Sequence, residues 1–412
     1  MRILLIANYT VVPGEKGNCR VTYLANMFAE KGHHVTLLTS SFAHRTKTHR
    51  NELVINSLIK TKYKIKLIKE SGYIRHLGLR RVLSHHQFGI NLKKYLNHCV
   101  ERPDAIYFTF PTFSSARIAS KFAKRNNLPA IIDIIDIWPE ALRSVIKLPV
   151  HLFNIFVLPF TIQANNIYKT ASGIVGVSNT YVNRAREANK IAPILPIYLG
   201  ADLELFDNFK YSKIKPDGEI WLIYVGCISY SYDLETVLRS LIILNNKYNI
   251  SHLKVKILGS GPQKSRLEQF AIANNLPVHF VGFVEYPIMV NYLKNADIAL
   301  SAIVQGAQQS LTYKIGDYVS AGLPILNSSE NKEFRNIIKN EKIGLNYVAG
   351  KDVDLAEKIL KLLEDEKIMK QYGQNSRKIA ESRFNRKSTN IKIVQLVEKL
   401  VEGNFKLTYK YS

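Results

Sequence analysis

The stretch Gln309-Ser310-Leu311-Thr312-Tyr313-Lys314-Ile315-Gly316-Asp317-Tyr318-Val319-Ser320-Ala321-Gly322-Leu323-Pro324-Ile325-Leu326 is the most informative in the chain. It predicts a loop, a short helix from about Thr312, a glycine stop at Gly322 and then a strand. Lys314 falls in the first turn of that helix, where the positive end of the helix dipole disfavours a cation. An anion bound there would resolve the conflict, because it would engage both the free backbone N–H groups and Lys314. Asp317, one turn further on, is placed to accept hydrogen bonds from ribose hydroxyls. A surface helix with a solvated Lys and Asp accounts for the same residues equally well.

Outward from this stretch the same alternation of strand and helix repeats. Strand-like runs fall at Ile220–Val225, Val255–Leu258, His279–Val281, Ile298–Leu300 and Pro324–Leu326, with helical patterns between them. The first half has its own series: Ile3–Ala7, Val35–Leu38, Ile65–Ile68, Ala105–Phe108, Ala130–Ile134 and Gly173–Val177. Between the first two, Val21, Leu24, Ala25 and Phe28 share one helical face, and Gly32 follows as a stop. Unbroken apolar strands alternating with helices predict parallel sheets covered on both faces. The chain therefore reads as α/β, with two Rossmann-like domains in series. Residues 1–200 form the first domain, 201–217 a linker ending in the turn Lys215-Pro216-Asp217-Gly218, and 218–385 the second domain. Residues 386–412 form a terminal helix expected to cross back to the first domain. Open α/β sheets bind ligands at the carboxyl ends of their strands, so two such domains predict a central cleft.

The charge is lopsided. Residues 1–200 hold 28 Lys and Arg against 10 Asp and Glu, whereas residues 201–412 hold 29 against 23. An excess of this size predicts an anionic partner for the first half. Within it, residues 41–100 carry 13 cations against Glu52 and Glu70. Lys60, Lys62, Lys64 and Lys66 alternate as on the solvent face of a strand, while Arg75, Arg80 and Arg81 interleave with Leu77, Leu79 and Leu83. That basic amphipathic pattern suits an anionic membrane surface. Nucleic acid is the rival partner, but no nucleic-acid-binding motif is present. Cys19, Cys99 and Cys227 fit neither a disulfide framework nor a zinc site, and a reducing cytosol is expected. The run Leu152–Phe160 is apolar but too short to span a bilayer and carries Pro159.

Two strand-end loops add candidates. Asn8–Asn18 contains Gly14 and Gly17 between a strand and a helix, which suits backbone approach to phosphate, although it lacks the three-glycine dinucleotide fingerprint. Asp133-Ile134-Ile135-Asp136-Ile137-Trp138-Pro139-Glu140 follows a buried strand. Asp136 is placed to orient a substrate there and Trp138 to pack on a sugar ring, with a helix-capping Asp136 as the alternative. Asp352-Val353-Asp354 has the form of a metal-binding triplet, but Glu357 and an apolar run follow it, which favours a capping box. No metal or other cofactor is expected.

The segment quoted first resembles the retaining glycosyltransferases of family 4, of GT-B fold, in the subgroup form Lys-x-x-Glu-Tyr-x-x-x-Gly-x-Pro, here Lys314 to Pro324. The likeness runs along nearly the whole chain. Gly32-His33-His34-Val35-Thr36, Val175-Gly176-Val177-Ser178, Gly200-Ala201-Asp202 with Phe206, Gly259-Ser260-Gly261-Pro262 and Phe280-Val281-Gly282-Phe283 stand in the family's order. Asp136-Ile137-Trp138-Pro139-Glu140 is similar to a motif of members that build O-antigen and capsular polysaccharide. Gln309 stands where the family has its first acidic residue, and Asp317 is shorter than the second. The loop Gly226-Cys227-Ile228-Ser229-Tyr230-Ser231-Tyr232 lacks the Arg and Lys that often hold the donor diphosphate.

The resemblance implies a glycosyltransferase that moves a sugar, with retention, from a UDP-linked nucleotide sugar to a lipid-linked glycan in bacterial surface polysaccharide synthesis. Together with the residue readings above, it leads us to expect donor contacts from Lys314, Asp317, Gln309, Gly226, Ser229, Gly14 and Gly17, a reaction role for Asp136, and acceptor or sugar contacts from Trp138 and Glu140. The place of action expected is the cytoplasmic face of the membrane. A nucleotide-sugar 2-epimerase of the same fold and a basic nucleic-acid-binding protein are the alternative readings.

Overall fold

The computed structural model describes residues 1–403 except 18, 61–62, 75–77, 100, 145, 147 and 308–310. The chain divides into two compact units, one of residues 1–197 together with those from Asn390 onward, the other of Tyr198–Thr389.

The first unit runs β1 (Arg2–Ala7), α1 (Arg20–Glu30), β2 (His34–Ser40), a small antiparallel pair β3 (Phe42–Ala43) and β4 (Thr48–His49), and α2 (Glu52–Ser57). It continues with β5 (Tyr63–Ile68), α3 (Leu79–Asn97), β6 (Ala105–Phe110), α4 (Phe113–Arg125) and β7 (Ala130–Ile134). Then follow α5 (Val150–Lys169), β8 (Gly173–Gly176), α6 (Asn179–Arg186) and β9 (Ile194–Pro196). The seven-stranded sheet has the order β5-β2-β1-β6-β7-β8-β9, and every pairing in it is parallel. β6 is buried at every position, as a strand covered on both faces must be. The edge strand β5 instead alternates, with Tyr63 and Ile65 buried and Lys64 and Lys66 exposed. Lysines on an edge discourage further strand addition. One face of the core joins Val21, Leu24, Ala25 and Phe28 of α1 to Ile3, Leu5 and Leu37 of the sheet. The last helix, α15 (Arg386–Val401), contributes Ile393, Val394 and Val397 to that core.

The second unit runs α7 (Leu203–Asn208), β10 (Ile220–Val225), α8 (Leu234–Tyr248), β11 (Leu253–Leu258), α9 (Lys264–Ala273), β12 (Val278–Gly282) and α10 (Tyr286–Asn295). It continues with β13 (Ile298–Ser301), α11 (Tyr313–Ser320), β14 (Ile325–Asn327), α12 (Lys332–Asn340), β15 (Gly344–Asn346), α13 (Asp352–Glu364) and α14 (Glu366–Ile379). Its parallel six-stranded sheet has the order β12-β11-β10-β13-β14-β15. The segment 201–217, expected as a linker, belongs in part to this unit's core: Leu203 and Phe206 of α7 are buried against Ile223, Tyr318 and Phe384. Six residues of helix between loops give too short an apolar period to stand out in the sequence.

Candidate functional site

In the second unit the strand order reverses between β10 and β13, which makes the carboxyl ends of these strands the switch point where open sheets take ligands. α11 lies against this point. The Tyr318 hydroxyl accepts from Val225 N at 2.9 Å and donates to Leu300 O at 3.1 Å, tying the helix to the ends of both strands. The β10 and β11 loops cross there backbone to backbone: a Cβ on Gly259, whose φ is +137°, would stand 1.8 Å from Gly226 O.

Lys314 sits in the first turn of α11, and only 8% of its surface is exposed. Its Nζ finds no hydrogen-bond acceptor among the described residues. It lies 4.3 Å from the ring centre of Tyr224 and 3.9 Å from that of Tyr232. Aromatic faces stabilise a cation modestly and supply no counter-charge. Burial therefore pushes the ammonium down to about 7. A Cβ on Gly226 would be 3.4 Å from Lys314 Nζ, so the glycine leaves the ammonium approachable from the strand end. Ser229 lies half-buried in the same loop, where its carbonyl accepts from Tyr232 N at 3.0 Å. Gln309 lies outside the described residues.

Asp317 sits on the same helix but has its own partner, the Tyr286 hydroxyl, which donates to its Oδ1 at 2.8 Å. Burial pushes its carboxyl up to about 6, opposed by that hydrogen bond and by the Arg386 charge. The structure thus brings Lys314, Gly226 and Ser229 to one strand end, with Asp317 on the adjoining turn of α11. The tyrosines that flank Lys314 were missed in the sequence. The available signal was Tyr224 near the end of the buried run Ile220–Val225 and Tyr232 in the loop that has no Arg or Lys.

The remaining candidates lie in the first unit. Asp136 follows β7 and accepts from Ile137 N at 2.9 Å, Trp138 Nε1 at 3.2 Å and the Tyr181 hydroxyl at 3.4 Å. Burial raises its carboxyl above the usual range, and the side-chain bond from Trp138 opposes the rise. Trp138 is therefore a hydrogen-bond donor to Asp136, and its ring meets Phe113 edge-on. Glu140 is occupied by an ion pair with Arg184, which also donates to Asn165 at 2.9 Å.

The loop carrying Gly14 and Gly17 is braced from within. Arg50 donates to Glu15 at 2.7 and 2.8 Å and to Thr10 O at 2.7 Å. Arg45 donates to Lys16 O at 2.9 Å, and a Cβ on Gly17 would stand 2.5 Å from Arg45 Nη1. Behind this loop Arg20, at the start of α1, pairs with the buried Asp133 at 3.0 Å and donates to Ile197 O. In the basic segment Arg80 is exposed, and Arg81 donates to the Tyr9 hydroxyl at 3.0 Å. Arg75 and Leu77 lie outside the described residues.

Asp354 differs from the expected capping box. Lys351 holds the cap position of α13, and Asp354, within the first turn, accepts from Val348 N at 2.7 Å and pairs with Lys358 at 3.1 Å. Among the described residues no group of three or more His, Cys, Asp or Glu side chains converges to hold a metal ion.

Two parallel-sheet units of this topology define the GT-B glycosyltransferase fold, which the solved structures corroborate. The chain is similar to sucrose-phosphate synthase from Thermosynechococcus elongatus, with TM-score 0.70 and 17% identity over 98% of this chain and 100% of that one. It is similar to Anabaena HepE, solved in complex with UDP, with TM-score 0.68 and 14% identity over 97% of this chain and 100% of that one. Residues 206–379, which lie wholly within the second unit, match the family described as Glycosyl transferases group 1. The chain thus carries a glycosyltransferase-family domain. A curated relative, an uncharacterized glycosyltransferase of Methanocaldococcus jannaschii, is 24% identical over 246 residues, covering 57% of this chain and 60% of the relative's length.

Proposed function

We propose that the protein transfers a sugar from a UDP-linked nucleotide sugar to a lipid-linked glycan in surface polysaccharide synthesis, with retention of configuration and without a metal ion. The observation that carries this reading is Lys314, a buried ammonium with no hydrogen-bond acceptor among the described residues, beside a helix N-terminus at the switch point of the sheet. A donor diphosphate supplies such an acceptor and a negative charge. Departure of the nucleotide places further negative charge on that diphosphate, so the same lysine and the N–H groups of α11 favour bond cleavage. The departing phosphate then accepts the proton of the acceptor hydroxyl, and no protein nucleophile is assigned. Asp317 holds the ribose, and Asp136, oriented by Trp138 and Tyr181, orients the acceptor or the transferred sugar. Anabaena HepE, of the same fold, has been solved with UDP-glucose, which supports the choice of donor class. The excess positive charge of the first unit supports work at the anionic cytoplasmic surface of the membrane.

Calorimetric titration with UDP-, GDP- and ADP-linked sugars tests the donor, with binding expected for the UDP series in EDTA. Product analysis with a lipid-linked acceptor then separates transfer from hydrolysis or epimerisation. Activity abolished by EDTA and restored by magnesium would overturn the metal-free mechanism.

A further inference from the structure

One face of the first unit has a charge pattern of its own. α3, α4, α5 and α6 adjoin in that order. Together they carry eleven Lys and Arg and not a single Asp or Glu. Arg117, Lys121, Lys124 and Arg125 of α4 are all exposed. Beside α4 lies α5, whose inward side buries Phe153, Val157, Ala164 and Tyr168. A helix on the surface of a globular unit normally turns polar residues outward. α5 does so only in part: His151, Asn154 and Asn166 are exposed, but so are Leu152, Ile155, Phe156, Leu158 and Ile162, with Ile155 67% exposed. An exposed apolar ridge of this kind marks an interaction surface.

We propose that this face docks on an anionic lipid leaflet, with the outer ridge of α5 inserted at the boundary between headgroups and acyl chains. The cations of α3 and α4 then meet the lipid phosphates. The proposal rests on the membrane reading given above and names the element that enters the bilayer. A basic surface with an apolar ridge lying in the plane of the interface is the chemistry that binds anionic membranes. A second copy of the same face fits poorly, because the exposed Arg117, Lys121, Lys124 and Arg125 of α4 in each copy would meet like charge in the other. Nucleic acid would satisfy the cations but leave the aliphatic ridge in water. α5 does not span the membrane: its inner side is committed to the core, and among the described residues no helix is long and apolar enough to cross a bilayer.

The test is sedimentation with phosphatidylcholine vesicles containing none or about 30 mol% phosphatidylglycerol, at low and high salt. Wild type should partition onto the anionic vesicles, and salt should release it. A Leu152→Ser, Ile155→Ser, Ile162→Ser variant should fold with an unchanged melting temperature and bind at least about tenfold more weakly. In a second experiment Ile155→Trp should show blue-shifted emission on vesicles and quenching by brominated lipid, with wild type correcting for Trp138 and Trp221. If wild type docks while both variants behave as though α5 were in water, the membrane reading stands and the role of α5 is refuted. Failure of wild type to dock on any vesicle refutes both. A lipid-free dimer that the triple substitution dissociates would also overturn the proposal, assigning the ridge to self-association.

Discussion

Each unit places a cation in the first turn of a helix beside the carboxyl end of its sheet, and the two cations are treated in opposite ways. Arg20, opening α1, meets the Asp133 carboxylate at 3.0 Å and a backbone carbonyl, so its charge is compensated inside the protein. Lys314, opening α11, lies against the rings of Tyr224 and Tyr232 and finds no hydrogen-bond acceptor among the described residues. A helix N-terminus disfavours both cations. On the function proposed above, the difference in partners separates a cation that holds the fold from one that serves the donor.

The largest expected effect breaks the comparison from the Arg20 side. Arg20→Met leaves Asp133 buried without its partner and should cost about 3–5 kcal/mol of stability. The double variant Arg20→Met, Asp133→Leu should recover much of that loss, because neither charge is then stranded. Urea unfolding of the three proteins measures this. A loss below about 1 kcal/mol for the single variant would show that the pair is not structural.

Lys314→Met should do the reverse. It removes a buried charge that has no hydrogen-bond acceptor among the described residues, so stability should hold or rise. Its folded-state value of about 7 lies below the unfolded value of 10.5. The unfolded state therefore binds more protons between these limits, and the wild type should gain stability as pH rises through that window. The Met variant should lack this gain. Affinity for UDP-glucose should fall about 30- to 100-fold, with little change for uridine, since charged hydrogen bonds contribute about 1.5–3 kcal/mol. Equal losses for both ligands in calorimetry would show that Lys314 does not serve the diphosphate.

The contrast between these cations also marks how far the sequence could be read. Strands buried on both faces announce themselves as unbroken apolar runs, and β1, β6, β7, β10 and β13 fall where such runs predict them. The edge strands β9 and β15 have three residues each, and α7 has six, so none gives enough period to detect. The place of Lys314 was legible because a cation in the first turn of a short helix already implies a conflict with the dipole, and Asp317 follows one turn on. The aromatic pair around Lys314 was not, since Tyr224 and Lys314 meet only after the β10–β13 switch closes. The Arg20–Asp133 pair, separated by 113 residues, was hidden for the same reason. For α5 the composition was visible, but which side the fold would bury was not.

The smallest expected effect sharpens the comparison within α11 itself. Burial holds Asp317 at about 6, above its model-compound value of 3.8, with the Tyr286 hydroxyl opposing the rise. As pH falls through about 6 the carboxylate is lost as a pure acceptor for ribose hydroxyls. As pH rises above about 7 the Lys314 charge is lost. UDP-glucose is a suitable probe because its diphosphate diester does not titrate between these values. Its affinity should therefore peak between about 6 and 7, falling on the acid side with Asp317 and on the basic side with Lys314. Asp317→Asn should flatten only the acid limb and weaken binding roughly three- to tenfold, the scale of one hydrogen bond. It should also erase the preference for UDP-glucose over its 2′-deoxyribose analogue. Were that preference to survive in Asp317→Asn, the carboxylate would be a structural partner of Tyr286, and α11 would contribute only Lys314 and its N–H groups to the donor.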